Sequence, residues 1–238
     1  MQTQANIRES PKSAVITVGE WLGIGRRAST PSEYLTGEIE HAPYMRIPKF
    51  LKQDENKFVL DYALSRRSSF DLSRVETGVP DYRHSRVLFD LGDLNIDLES
   101  RICEILPDVI DYFGIKIPAA CRLETQLTTH NDGGYFKAHN DNGSPGTADR
   151  FLTYVYYFHH EPAAFAGGEL RLYDSKVEAN QWVAVETFAE IKPENNMLLL
   201  FPSRLFHEVM PIGCDSRDFA DGRFTLNGWV REVNPVAL

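Results

Sequence analysis

The sequence predicts an α+β domain, with an antiparallel sandwich or barrel in its C-terminal half and helices packed outside that sheet. Three observations carry the prediction. After Pro118 the chain breaks into short β-prone runs, and clusters such as Asn131-Asp132-Gly133-Gly134, Asn142-Gly143-Ser144-Pro145-Gly146 and Gly167-Gly168 separate almost every pair. Before Pro118, apolar residues recur at three- and four-residue steps, the period of a half-buried helix. The whole chain of 238 residues is 42% hydrophobic and 25% charged, which suits one sizeable core and excludes fibrous, fully disordered and disulfide-scaffold classes.

Residues 1–40 mix Gln, Ser, Pro, Gly and Arg without long periodicity, and are expected to form a partly mobile extension. Tyr44–Leu51 reads as a leading strand, and Gln53–Arg67, with Phe58, Leu60, Tyr62 and Leu64 among good helix formers, as a helix. Between Leu94 and Phe113, the spacing of Leu98, Ile102, Ile105, Leu106, Val109 and Phe113 predicts a second helix stopped at Gly114. Pro107 is expected to kink that helix or to divide it in two. The strand-like runs that follow are Cys121–Thr129, Tyr135–His139, Phe151–His159, Glu169–Tyr173, Trp182–Glu186, Asn196–Phe201 and Arg223–Arg231. No internal repeat appears.

A formal charge of -9 makes a phosphate-tracking surface improbable, so nucleic acid is not the expected partner. No apolar run approaches the ~20 residues that cross a bilayer and no signal-peptide core is visible, so no membrane partner and a cytoplasmic location are expected. Cys103, Cys121 and Cys214 form no CxxC pair; they fit a reducing compartment and read as small core residues.

The chemistry centres on His139, two residues before Asp141 in a β-prone run ending in turn formers. Positions i and i+2 of a strand share a face, so an imidazole and a carboxylate can converge on one point. His207, after the buried-type run Met197–Phe201 and the turn Pro202-Ser203-Arg204, is the candidate third ligand. Two histidines and one carboxylate leave three open positions, as suits non-haem Fe(II). A lone His-x-Asp also occurs by chance in many chains, so the motif does not decide the matter.

Five ordered segments do more. Gly134-Tyr135-Phe136-Lys137-Ala138-His139-Asn140-Asp141, Leu152-Thr153-Tyr154-Val155-Tyr156-Tyr157-Phe158 and Gly167-Gly168-Glu169-Leu170-Arg171-Leu172 come first. Leu199-Leu200-Phe201-Pro202-Ser203 leading to His207-Glu208-Val209-Met210-Pro211, and Gly222-Arg223-Phe224-Thr225-Leu226-Asn227-Gly228-Trp229, follow. Together they resemble the Fe(II)- and 2-oxoglutarate-dependent oxygenases of the prolyl-4-hydroxylase-like branch. The resemblance implies a double-stranded β-helix (jelly-roll) core, placed over 118–238; the chain's own patterning adds helical support over 41–117 and a single domain over 41–238 beyond the extension. It implies Fe(II) on His139, Asp141 and His207, 2-oxoglutarate as co-substrate, and ascorbate as a reductant.

By the same resemblance, Arg223, six residues before Trp229, grips the distal carboxylate of 2-oxoglutarate, which a planar guanidinium does bidentately. Tyr157 matches a tyrosine that donates to that carboxylate, and Thr225 and Asn227 share the face of Arg223. Two departures stand out. Cys214–Asp221 lengthens the path from His207 to Arg223 and puts Arg217 nearer the usual distance, although Arg217 lies among Asp and Ser in a loop-like stretch. Thr129, ten residues before His139, replaces a tyrosine that many relatives carry.

The resulting expectation is a dioxygenase that takes 2-oxoglutarate, O2 and a small molecule, amino acid or short peptide, hydroxylates an unactivated C–H bond, and releases succinate and CO2. A prolyl hydroxylase acting on a protein is the alternative, and a jelly-roll protein keeping its metal only for structure or sensing is the rival from another class. A zinc hydrolase would need Glu208 as its base, and adjacency to His207 on a strand points that carboxylate away. His159 and His160 read as structural or surface residues and His130 as a weak pocket candidate. The stretch Tyr82-Arg83-His84-Ser85-Arg86 and the pair Arg66-Arg67 read as solvated loops, the former also as a possible substrate edge.

Overall fold

Two of the strand-forming runs after Pro118, Leu152–Phe158 and Met197–Pro202, are apolar at nearly every position because both of their faces are covered. In a computed structural model, which describes residues 37–73, 81–92, 94, 98–116, 118–179 and 181–233, all of Leu152–Phe158 and Met197–Pro202 are buried. Alternation divides each run between two cores. Tyr154, Tyr156, Phe158, Leu198 and Leu200 join a cluster with the helices, and Val155, Tyr157, Met197, Leu199 and Phe201 join one with the facing sheet.

In chain order the elements are β1 (Ile39–Glu40), β2 (Met45–Pro48), α1 (Gln53–Ser65), β3 (Asp71–Leu72), β4 (Arg83–His84), β5 (Arg86–Leu88) and α2 (Leu98–Phe113). They continue with β6 (Cys121–His130), β7 (Tyr135–His139), β8 (Arg150–Phe158), β9 (Ala166–Gly167), β10 (Leu170–Glu178) and β11 (Gln181–Ile191). The last are β12 (Met197–Pro202), β13 (His207–Val209), β14 (Ile212–Gly213) and β15 (Arg223–Glu232). One sheet runs β2-β12-β8-β15-β6-β5-β3 and the other β1-β10-β13-β7-β4, with β11 on the far side of β10; all pairings are antiparallel. Two facing antiparallel sheets, with long connections between them, form the double-stranded β-helix core.

The helices cover the outer face of the seven-stranded sheet. Helix α2 presents Leu98, Ile102, Leu106, Val109, Ile110 and Phe113 as one stripe, and Gly114 follows it at φ +61°. It continues through Pro107 as one helix rather than two, its inward stripe holding it against the sheet. Helix α1 contributes Val59, Leu60, Tyr62 and Ala63. Asn56 of α1 donates to the Tyr156 hydroxyl at 2.7 Å, which satisfies a phenol otherwise buried in that core.

Residues before Pro118 do more than support. Met45–Pro48 adds an edge strand to β12, and Arg83–Leu88 closes a side of the barrel. There β4 pairs with β7 of one sheet and β5 with β6 of the other, so the chain crosses between sheets at the buried Ser85. Ile39–Glu40 pairs with Lys176 and Ser175, on the extension side of the boundary drawn at residue 41; residues 1–36 lie outside the described residues. Strands β10 and β11 are longer than their apolar patterns predict, since they extend as a hairpin of charged and half-exposed residues. Of the cysteines only Cys214 is a core residue; Cys103 and Cys121, on the outside of α2 and at the start of β6, are exposed.

Candidate metal centre

His139 and His207 end and begin adjacent strands, β7 and β13, and are register partners. Asp141 follows β7 by two residues, its backbone N–H donating to the Ser203 carbonyl at 3.0 Å. Asp141 Oδ1 lies 3.7 Å from His139 Nε2, and Oδ2 lies 3.5 Å from His207 Nε2. The three ligand-type atoms all fall within 4.8 Å of one another.

Each ring is fixed by its other nitrogen. His139 Nδ1 donates to the Lys137 carbonyl at 2.8 Å and His207 Nδ1 to the Leu205 carbonyl at 2.9 Å, both two residues back. A carbonyl only accepts, so the proton is on Nδ1 and the Nε2 lone pairs face Asp141. Thr153, on the inner face of β8, donates to Asp141 Oδ2 at 2.7 Å and pairs with the Ser203 hydroxyl at 2.9 Å. Burial first, and the neighbouring His207 second, push His139 down to about 3, with Asp141 opposing; it is neutral at pH 7. Burial works against the Asp141 carboxylate, but His207, His139 and the Thr153 hydroxyl together hold it below its ordinary range. Two imidazoles that turn Nε2 toward one carboxylate, held from behind by a carbonyl, a carbonyl and a hydroxyl, make a donor set that fits a divalent transition metal.

The inner face of the seven-stranded sheet beside this triad is polar. Register makes Arg223 the partner of His130, and Thr225 the partner of both Thr128 and Tyr157. Arg223 is 2% exposed and forms no ion pair among the described residues; its Cζ lies 4.8 Å from the centre of the Tyr157 ring. Its Nε, the Tyr157 hydroxyl and both nitrogens of His130 are buried without a hydrogen-bond partner. Burial lowers the Arg223 guanidinium and raises the Tyr157 phenol, each opposed by the other group. Buried polar groups left this way in a folded protein point to a bound partner. A guanidinium, a phenol and an imidazole on one inner surface can offer charge-assisted hydrogen bonds to a carboxylate.

Gly168, at φ +72°, seals the end of this row. A Cβ there would lie 2.8 Å from Arg223 Cδ and 2.8 Å from Ile212 Cγ1, so only glycine lets the backbone close over the guanidinium. Arg217 is on the outside, where Nε donates to Asp132 Oδ2 at 3.0 Å. Glu208 points away from the triad, and its Oε1 accepts the Tyr173 hydroxyl at 2.5 Å.

Residues 125–231 match the profile of the 2OG-Fe(II) oxygenase superfamily. The chain carries a 2OG-Fe(II) oxygenase domain. An uncharacterised PKHD-type hydroxylase from Synechocystis sp. is 42% identical over 191 residues, 79% of this chain; the chain spans 63% of that relative's length. The fold resembles a Pseudomonas putida prolyl-4-hydroxylase (TM-score 0.60, 18% identity, 81% of this chain and 94% of that one). It also resembles a Trichoplax adhaerens prolyl hydroxylase solved with a hypoxia inducible factor peptide (TM-score 0.54, 21% identity, 79% and 83%). The superfamily uses Fe(II) and 2-oxoglutarate.

Two inward-facing residues, His130 and Arg83, are not singled out by the sequence pattern. Thr129 was read as the residue replacing a pocket tyrosine, but it faces the other side of β6, where it helps line a separate cavity of about 630 Å³ with His84, Arg86 and Phe219. Its neighbour His130, 3% exposed, takes the inward position opposite Arg223. Arg83, read as part of a solvated loop or substrate edge, reaches inward to Thr128. The signal for both was alternation along β6 and β4, which becomes readable only once their neighbours are known. His159 is buried at the end of β8 with Nδ1 on the His160 carbonyl at 2.8 Å, and His84 is exposed; neither joins the triad.

Proposed function

We propose that this protein is a 2-oxoglutarate-dependent dioxygenase that hydroxylates an unactivated C–H bond of a small molecule, amino acid or short peptide. His139, Asp141 and His207 are the metal ligands in this reading, and Arg223, Tyr157 and Thr225 hold the co-substrate. The observation that carries it is the joint presence of a braced two-histidine, one-carboxylate set and a buried arginine without a counter-ion on the same inner surface. A structural metal site has no use for the second feature.

The chain's own groups have separable tasks. The Lys137 and Leu205 carbonyls keep both histidines in the tautomer that offers Nε2, and Thr153 orients the Asp141 carboxylate. Arg223 and Tyr157 supply charge and a phenolic donor to a carboxylate, while Gly168 packs its backbone against the Arg223 side chain. Fe(II) and 2-oxoglutarate, when bound, supply the oxidising chemistry, coupling decarboxylation to succinate with insertion of one atom of O2 into the substrate. Glu208, engaged with Tyr173 on the far side of β13, leaves the hydrolase reading without its general base.

The test needs no substrate. Fe(II) followed by 2-oxoglutarate, added anaerobically, should produce the weak visible charge-transfer band of the chelate. Binding of iron with no band at saturating 2-oxoglutarate rejects the oxygenase reading.

A further inference from the structure

One charged group of this site is left over after metal and co-substrate are assigned. Arg83 on β4 is the register partner of Phe136 on β7, and its guanidinium carbon lies 4.6 Å from the centre of that ring. Phe136 in turn stacks on His139, with ring centroids 3.7 Å apart. Arg83 Nε donates to the Ser85 hydroxyl at 2.7 Å, and Nη2 lies 3.5 Å from the Thr128 hydroxyl on the inner face of β6. The guanidinium therefore stands inside the barrel mouth, beside the triad. It forms no ion pair among the described residues; Asp141 is the charge that chiefly opposes the effect of its burial, which pushes it down to about 10 and leaves it ionised at pH 7.

Charge counting shows why this matters. A divalent metal, Asp141, doubly ionised 2-oxoglutarate and Arg223 sum to zero; the half-buried Glu169 is a further charge that acts on Arg223, whereas Asp141 is the charge that acts on Arg83. Arg83 adds one further positive charge in a half-buried place, where an unpaired charge is strongly disfavoured. One more negative charge, brought by the remaining reactant, restores balance. A lone planar guanidinium backed by an aromatic ring suits a carboxylate, whereas a doubly charged phosphate would call for a second cation.

We propose that Arg83 recognises the substrate, and that the substrate carries a single free carboxylate held beside the metal centre. The inference rests on the oxygenase reading and deepens it by naming the substrate's chemical class. The carboxylate belongs either to a small acid or to the C-terminus of a peptide.

The experiment uses the full chain saturated with Mn(II) and 2-oxoglutarate. Its thermal midpoint is read with millimolar N-acetyl-L-amino acids, their matched N-acetyl amides, and free L-amino acids. At least one acid should raise the midpoint where its amide does not, and Arg83→Met should remove that response while Arg83→Lys keeps part of it. Response to free amino acids as well identifies a small acid, and response to the N-acetylated acids alone a peptide C-terminus. Arg83→Met should leave 2-oxoglutarate affinity within about twofold. Equal response to acids and amides, or no response of the wild-type chain to any acid, overturns the proposal without any variant. A loss of about tenfold or more in 2-oxoglutarate affinity in Arg83→Met assigns the guanidinium to the co-substrate and also overturns it. Failure of the wild-type chain to bind 2-oxoglutarate is a separate result, and sinks the oxygenase reading itself.

Discussion

His139 and His207 oppose one another across the ladder between β7 and β13, with ring centroids 4.3 Å apart, so two ligands far apart in sequence are set by a single strand pairing. The register shifts between His207 and Val209, an irregularity that lets β13 present His207 without displacing Val209 from the core. Asp141 then needs only the local geometry after β7 to meet both rings.

Replacing His139, Asp141 or His207 by Ala is expected to remove high-affinity Mn(II) binding, measured by calorimetry. The loss should exceed the ~10–100-fold typical of groups that only brace a ligand. Wild-type affinity in any one variant removes that residue from the set.

Thr153→Val tests the bracing. The hydroxyl donates to Asp141 Oδ2 at 2.7 Å, and valine keeps the shape but not the donor. Mn(II) affinity should fall by about tenfold while the fold persists. An unchanged affinity would show that Asp141 is held in place without the Thr153 hydroxyl.

Arg223→Met should weaken 2-oxoglutarate binding in the anaerobic titration and leave Mn(II) binding near wild type. Arg217→Met, on the outer surface against Asp132, should change neither. The reverse pattern would mean that the loop after β14 folds inward in solution.

Gly168→Ala forces a Cβ to within 2.8 Å of Arg223 Cδ at a positive φ. Destabilisation of about 1–3 kcal/mol is expected in urea unfolding, together with weaker 2-oxoglutarate binding. Full stability with full affinity would show that this corner has room to move.

Acidification should destabilise the metal-free protein as pH falls from about 6.5 toward 3. His139 is held near 3 in the folded chain but takes a proton near its ordinary value when unfolded, so the unfolded state binds more protons throughout that window. Buried His130, also held well below its ordinary value, acts in the same direction. Thermal midpoints measured across the window should fall, and His139→Gln should flatten the slope; an unchanged slope would show that His139 is already protonated in the folded protein.

Much of this molecule could be read from local sequence. The His-x-Asp spacing, the alternating strand from Arg223 to Trp229, the stripe of α2 and the Asn/Gly turns depend on the period of the backbone and on turn chemistry within a few residues, so the sequence by itself determined both helices and the long strands and nominated the candidate ligands, while short strands such as Ile39–Glu40, Arg83–His84 and His207–Val209 needed their partners. Which face each strand turns inward is not local. His130 rather than Thr129 faces inward beside Arg223 because β6 is locked between β5 and β15 in one register, and a shift of a single residue would exchange them. Arg83 points into the barrel because β4 and β5 join different sheets and the chain turns the corner at Ser85. Those orientations were decided by tertiary structure alone, since they follow from pairings between segments whose separation in sequence carries no record of their contact.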